Sequence, residues 1–198
     1  MGPTTVLKLG GSLLSLPDLT ARLSHLLDSL ATNVLLVPGG GGTADIIRRL
    51  DSRYRLPMTD SHAAAIAAMS FNACLLARTT GLFRAVSTQA ELDAVSGTQK
   101  SPILDVSAWL HHGEAERTRA LPDSWDVTSD SIAACVAADF GITRLILIKS
   151  CNPQSSRLQE LSDAGGIDSW FPRVAGNLQI QWCNLRDASL RLCSIEVD

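Results

Sequence analysis

An α/β fold with a mainly parallel central sheet is what this chain predicts, on three observations. Short apolar runs alternate with amphipathic stretches along the 198 residues. Two of the apolar runs end in glycine turns, Gly10-Gly11-Ser12 and Gly39-Gly40-Gly41-Gly42. The stretch between them reads as one helix, so strand, helix and strand form a crossover unit whose two strands must be parallel.

Each element follows from its pattern. Thr5 to Leu9 is a strand and Val34 to Val37 another. Pro17 to Ala31 places Leu19, Leu23, Leu26, Leu27 and Leu30 on one side of a helix. Thr43 to Ser52 and Ser61 to Thr79 follow as helices. The second is rich in alanine and apolar on nearly every side, which predicts burial within the domain or against another subunit. Phe83 to Val86 and Pro102 to Val106 read as strands, Thr88 to Val95 and Val106 to Leu110 as helices, and polar His111 to Asp126 as a loop suited to a lid. Thr128 or Ser129 caps the next helix, Asp130 complements its dipole, and Gly141 ends it. Arg144 to Ile148 is a buried strand ending at Lys149. A short helix at Arg157 to Ser162 and strands at Leu178 to Trp182 and Leu190 to Val197 complete the chain.

Composition narrows the functions. With 45% hydrophobic and 19% charged residues the chain has enough apolar side chains for a large core, and it reads as one domain. A net charge of −3 and only 5% aromatic residues argue against nucleic acid as a partner. No apolar run reaches the roughly 18 residues of a membrane span, and no leader precedes the first strand, so the expectation is a cytoplasmic protein without a membrane partner. Cys74, Cys135, Cys151, Cys183 and Cys193 show no C-x-x-C pair. With the four histidines also lacking ligand spacing, they read as reduced thiols and not as a metal site.

The glycine turns carry the chemistry. Glycine lets backbone N–H groups approach a ligand closely, and a helix starting just after adds its positive end, so each turn can hold a phosphate. Parallel strands bring both turns to the carboxyl edge of one sheet, where open α/β sheets bind ligands. Neither turn contains the P-loop pattern, and the acid that a dinucleotide fold needs is missing after the second. Two tight strand-to-helix turns are the structural alternative. Lys8 and Lys149 close apolar strands at this edge, where a lysine either follows a moving phosphoryl group or simply reaches for solvent. Asp130 either only completes a helix start or orients a lysine.

The runs K-L-G-G-S at Lys8 to Ser12, P-G-G-G-G at Pro38 to Gly42, W-D-V-T-S-D-S-I-A at Trp125 to Ala133 and G-I-D-S-W-F-P at Gly166 to Pro172 resemble the amino acid kinase superfamily. Within it they most resemble the small branch typified by [5-(aminomethyl)furan-3-yl]methyl phosphate kinase. The resemblance implies a three-layer αβα sandwich of the carbamate kinase type, often a homodimer, in which the alanine-rich helix joins the interface. It implies transfer of the γ-phosphoryl of ATP to a small-molecule substrate, a phosphate monoester in this branch, with Mg²⁺ carried largely on phosphate oxygens.

By position, Lys8 would stabilise the transferring phosphoryl and Asp130 would orient the lysines. Gly10, Gly11, Ser12, Ser129 and Lys149 would bind nucleotide. Gly39, Gly40 and Gly41 would lie beside the acceptor, with Asp45, Asp60 and His62 as candidates for reading it. The acceptor side would take residues up to about 123 and the nucleotide side the remainder. The string Lys149-Ser150-Cys151-Asn152-Pro153 stands where many relatives carry T-D-V-D-G. No lysine follows Lys149, leaving Lys149 or Arg173 to replace a second family lysine. A non-catalytic nucleotide or oxyanion binder, or a kinase for a carboxylate or nucleoside monophosphate, are the alternatives. A phosphate acceptor is already ionised at neutral pH, so attack on ATP needs alignment and charge neutralisation without a general base.

Overall fold

A computed structural model of the protein describes residues 2–95, 97–112 and 115–197. Among them seven strands form one sheet: β1 (Thr5–Leu9), β2 (Val34–Pro38), β3 (Phe83–Val86), β4 (Ser101–Leu104), β5 (Arg144–Lys149), β6 (Gln179–Asn184) and β7 (Leu192–Ile195). Their order is β3-β4-β2-β1-β5-β6-β7, parallel throughout except for β6 against β7.

Helices cover both faces, which makes the three layers expected. On one face α1 (Leu19–Leu30) buries Leu19, Leu23 and Leu26 against Leu7, Leu9, Leu36, Ile146 and Ile148. Each such leucine taken fully out of water contributes about 1.5–3 kcal/mol before entropy is counted. The other face is covered by α4 (Gln89–Val95), α5 (Val106–Leu110), α7 (Ser129–Asp139), α8 (Leu158–Asp163) and α9 (Phe171–Val174), packed on Val6, Leu35, Val37, Leu145, Leu147 and Ile180. The long α3 (Met58–Thr79) serves both, giving Met69 to this second core and Ala73 and Leu76 to the first. It is preceded by α2 (Gly41–Tyr54).

The helix α7 positions the site. Thr128 is its N-cap, its hydroxyl accepting the Asp130 N–H at 3.5 Å, and every residue from 130 to 137 is buried. A helix apolar on all sides has to lie inside, and α7 crosses the middle of the sheet over β1, β2 and β5. Gly141, at φ +65, lets the chain turn out of it.

Several boundaries differ from the sequence expectation. The stretch after Gly10 is only a three-residue 3-10 turn, Gly11–Leu13, and α1 starts six residues later. The expected polar loop over 111–126 contains a short helix, α6 (Glu116–Arg119), whose Arg117 and Thr118 N–H groups are capped by the Asp139 carboxylate. That cap comes from another helix, so local pattern does not reveal it. Gly113 and Glu114 of the same loop lie outside the described residues. The last strand is shorter than expected and antiparallel. The helix α9 inside G-I-D-S-W-F-P was not anticipated.

Candidate active site

Strand alternation builds the charged centre. Val6 on β1 and Leu145 and Leu147 on β5 point to the α7 side of the sheet, so Lys8 and Lys149, each two residues further on, point there too. Lys8 pairs in register with Leu147, which sets Lys149 one same-face step beyond it. Asp130, in the first turn of α7, lies over both. Its Oδ1 is 2.7 Å from Lys8 Nζ and its Oδ2 2.9 Å from Lys149 Nζ. Lys149 Nζ also donates to the Gly166 carbonyl at 2.8 Å and lies 5.3 Å from the centre of the Trp182 ring.

All three groups are withdrawn from water, with side-chain exposures of 5% for Lys8 and Asp130 and 14% for Lys149. Burial drags the Lys8 amine down to about 8, further than Asp130 can raise it, and Lys149 adds to the lowering. Burial pushes the Asp130 carboxyl upward, but the two lysines outweigh it and hold the group at about 2. One carboxylate thus faces two buried cations and leaves a net positive charge, a cluster that favours an incoming anion.

The glycine turns meet beside this centre. A Cβ on Gly11 would lie 2.3 Å from the Gly41 nitrogen and 2.5 Å from its Cα. Gly41 itself has φ +54, and a Cβ on it would lie 2.9 Å from the Gly11 carbonyl oxygen. The two turns are therefore packed backbone on backbone. Gly10 N–H donates to the Ile148 carbonyl and Gly39 N–H to the Leu9 carbonyl, both at 2.8 Å, so the ladder runs on past the strand ends into the turns. Asn72, buried in α3, donates from Nδ2 to the Gly39 carbonyl at 2.8 Å. Ser12 Oγ donates to Ser150 Oγ at 3.2 Å, which brings the first turn against the segment after β5.

A cavity of about 290 Å³ opens over the turns. Gly11, Ser12, Gly40, Gly41, Asp45, His62 and Ser129 line it, as do Gly42 and the apolar Ile66, Met69, Val127 and Ile132. Gly10 and Gly39 do not line it, and Lys8, Asp130 and Lys149 form the cluster beside the turns. His62 Nδ1 donates to the Ser124 carbonyl at 3.2 Å, which holds the ring against the segment before α7. Asp60 is exposed and does not line the cavity, and Arg173 is exposed and stacks on Trp170 at 4.4 Å.

Two wall residues escaped the sequence reading. Arg48 lies 4.8 Å over the Trp125 ring and pairs with Asp45 at 2.9 Å; the indole N–H of Trp125 donates to Asp51 at 2.7 Å. Trp125 stood within a quoted motif, but its partners lie more than 70 positions away, and no local spacing signals them. Asp168, in the G-I-D-S-W-F-P run, was missed for the same reason. Among the described residues no group of three or more His, Cys, Asp or Glu is placed to hold a metal. All five cysteines are free, and burial pushes the Cys135 and Cys183 thiols up to about 11.

The model of the amino acid kinase family matches residues 3–152, three-quarters of the chain and all of the cluster, turns and cavity described above. The chain belongs to the amino acid kinase family. Among curated proteins it is 26% identical over 143 residues to the [5-(aminomethyl)furan-3-yl]methyl phosphate kinase of Methanocaldococcus jannaschii. That match covers 72% of this chain and 63% of the relative, so less than two thirds of the relative's length is represented. Among solved structures, the uridylate kinase of Archaeoglobus fulgidus superposes with a TM-score of 0.62 at 20% identity, covering 100% of this chain and 92% of that one. The UMP kinase of Ureaplasma parvum gives 0.62 at 15% identity, covering 94% and 92%. These likenesses establish the carbamate kinase-like αβα fold of this family member. Among the described residues no helix is long and apolar enough to cross a membrane.

Proposed function

We propose that this family member is an ATP-dependent small-molecule kinase that moves the γ-phosphoryl of ATP onto a small phosphate monoester. The observation that carries the reading is Asp130 bridging Lys8 and Lys149 next to two glycine turns and a cavity. Two lysines on one carboxylate fit a polyphosphate, because bound phosphate oxygens complete the charge balance that Asp130 leaves open. Mg²⁺ brought with ATP supplies further neutralisation of phosphate charge.

In this reading Lys8 stabilises the phosphoryl in flight and Asp130 fixes both ammonium groups before substrate arrives. Lys149 takes the place of the second family lysine, and Gly10, Gly11, Ser12 and Ser129 attend the nucleotide. The orphan N–H groups at the start of α2, from Gly40 to Gly42, face the acceptor. The acceptor body fits a cavity with an apolar wall at Ile66, Met69, Val127 and Ile132, while Arg48, Asp45 and His62 offer its polar contacts. The relative named for an aminomethylfuran phosphate supports a compact ring-bearing monoester. The residues up to about 123 serve mainly the acceptor and the rest mainly the nucleotide. A homodimer acting in the cytoplasm completes the proposal, with the α2 and α3 faces carrying exposed Leu50, Tyr54, Phe71 and Leu75 as its interface.

One observation favours a second reading, a nucleotide or oxyanion binder without transfer. The segment after β5 is tied to β6 by Trp182 Nε1 donating to the Cys151 carbonyl at 2.7 Å and Asn184 Nδ2 to Asn152 Oδ1 at 3.0 Å, which occupies polar groups that nucleotide would use. The deciding experiment pairs thermal midpoints in Mg-ATP with transfer from [γ-³²P]ATP to a panel of phosphate monoesters. A rise of roughly 5–10 °C at saturating Mg-ATP together with label transfer is expected. A rise with no transfer to any monoester selects the binder, and no rise overturns both.

A further inference from the structure

We infer that Asp168 is a positioning residue for the lysine–carboxylate cluster, holding both acceptors of Lys149 in place from outside the region that the family model matches. The inference rests on the kinase reading for its functional meaning, while its geometry stands by itself.

Six donors converge on this carboxylate. Oδ2 accepts the Thr128 N–H at 3.0 Å, the Thr128 hydroxyl at 2.8 Å and the Ser131 N–H at 3.0 Å. Oδ1 accepts the Ser131 hydroxyl, the Trp170 N–H at 3.2 Å and the Phe171 N–H at 2.9 Å. A carboxylate offers about four lone-pair directions, so Asp168 is saturated and has no capacity left for a ligand. Its work is structural, and its location says what it holds.

Thr128 and Ser131 bracket Asp130 on the first turn of α7. The Ser131 N–H is one of the orphan donors of that helix start, whose partner is usually the side chain of the N-cap residue. Here it comes from a segment 37 residues away. Gly166, the second acceptor of Lys149, stands two residues before Asp168 on that same segment. One side chain therefore joins the helix that carries Asp130 to the loop that carries the Gly166 carbonyl. If the staple slips, both contacts of Lys149 and the contact of Lys8 shift together.

Asp139 provides the control. It caps Arg117 and Thr118 from the far end of the same helix, accepting N–H bonds at 2.7 and 3.1 Å and the Thr118 hydroxyl at 2.6 Å. Losing it removes three hydrogen bonds of the same kinds without touching the first turn.

The chain has three lysines, Lys8, Lys100 and Lys149, so [ε-¹³C]lysine NMR resolves the cluster against exposed Lys100 with no substrate present. Asp168→Glu keeps the charge and displaces the carboxylate. It should move the Lys8 titration midpoint down by about one pH unit, as the amine loses its well-placed counter-ion, and should shift the Lys149 resonance. Thr128→Val/Ser131→Ala, which leaves Asp168 intact but removes two hydroxyl donors, should move both signals the same way and serves if the glutamate variant does not fold. Asp139→Asn should lower the thermal midpoint and leave both signals in place. Unmoved lysine signals in Asp168→Glu and the double variant, or equal movement in Asp139→Asn, overturn the inference. Because the readout needs neither ATP nor acceptor, a failed transfer assay and a failed positioning role are separate results.

Discussion

Gly11 and Gly41 touch backbone to backbone, each standing where the other's side chain would have to go. The contact locks the first glycine turn to the start of α2 and brings two sets of backbone donors to one place. Gly11→Ala puts a Cβ against main-chain atoms that no rotamer change can move aside. The expected cost is about 1–3 kcal/mol, seen as a fall of roughly 3–10 °C in the thermal midpoint, with at least tenfold slower phosphoryl transfer. An alanine variant with the wild-type midpoint and rate would break the link between this contact and the site.

The cluster predicts an unequal charge response. Asp130→Asn leaves two buried ammonium groups without their counter-ion, a loss of about 3–5 kcal/mol measurable by urea unfolding. Adding Lys8→Met to it removes one stranded charge and should recover part of that loss, while transfer stays abolished in both. Equal stability of Asp130→Asn and the parent protein would contradict the bridging arrangement.

Acid and alkali should act through different members. Asp130 titrates at about 2 when folded, below its ordinary 3.8, so its contribution to stability is present above that ordinary value and fades as pH falls toward 2. Lys8 shifts the other way in effect. Its folded form gives up a proton near pH 8 while the unfolded chain holds it to about 10.5, so between those values the unfolded state binds more protons and this group's contribution rises with pH. Activity runs opposite, since transfer needs the ammonium form. The kcat/KM for ATP should decline above about pH 8, with kcat holding to higher pH because bound phosphate restores the proton. A flat kcat/KM between pH 7 and 10 would remove Lys8 from that role.

Arg48 should matter to the acceptor and to little else. It is exposed and anchored over Trp125, so Arg48→Ala should leave the thermal midpoint within about 1 °C and raise the acceptor KM tenfold or more. The KM for ATP should stay unchanged. A matching rise in both KM values would place Arg48 outside the acceptor wall.

The apolar faces of α2 and α3 set the fifth expectation. Phe71→Asp/Leu75→Asp should convert a dimer to a monomer in sedimentation equilibrium. A parent protein that already sediments as a monomer at tens of micromolar would reject the proposed interface.

How far the sequence could be read depended on the range of each cause. The strands β1, β2 and β5 and the start of α7 depend on neighbours within one turn or one strand, and they lay close to where the residue pattern put them. Lys8 and Lys149 could be assigned to one sheet edge for the same reason. Their shared carboxylate could not be derived, because it depends on register between strands about 140 positions apart. The α6 cap from Asp139, the Arg48–Trp125 stack and the staple at Asp168 are also long-range contacts, carried by side chains whose local surroundings look ordinary. Family resemblance supplied a role for Asp130 where spacing left it undecided; it assigned none to Asp168, although that residue lies in one of the resembling runs.

The hydrogen bonds from Gly10 to Ile148 and from Gly39 to Leu9 make the floor of the site a continuation of the sheet and not a flap hung from it. A floor of that kind has the stiffness of a strand and keeps its donors aligned whether or not anything rests on it. Accommodation therefore falls to the walls. The corner between α2 and α3, where Arg55 takes φ 53 and residues 55–57 are exposed, stands outside that ladder. In the kinase reading, preference for one acceptor over another is then set by the side chains that stand on this base and not by the base itself.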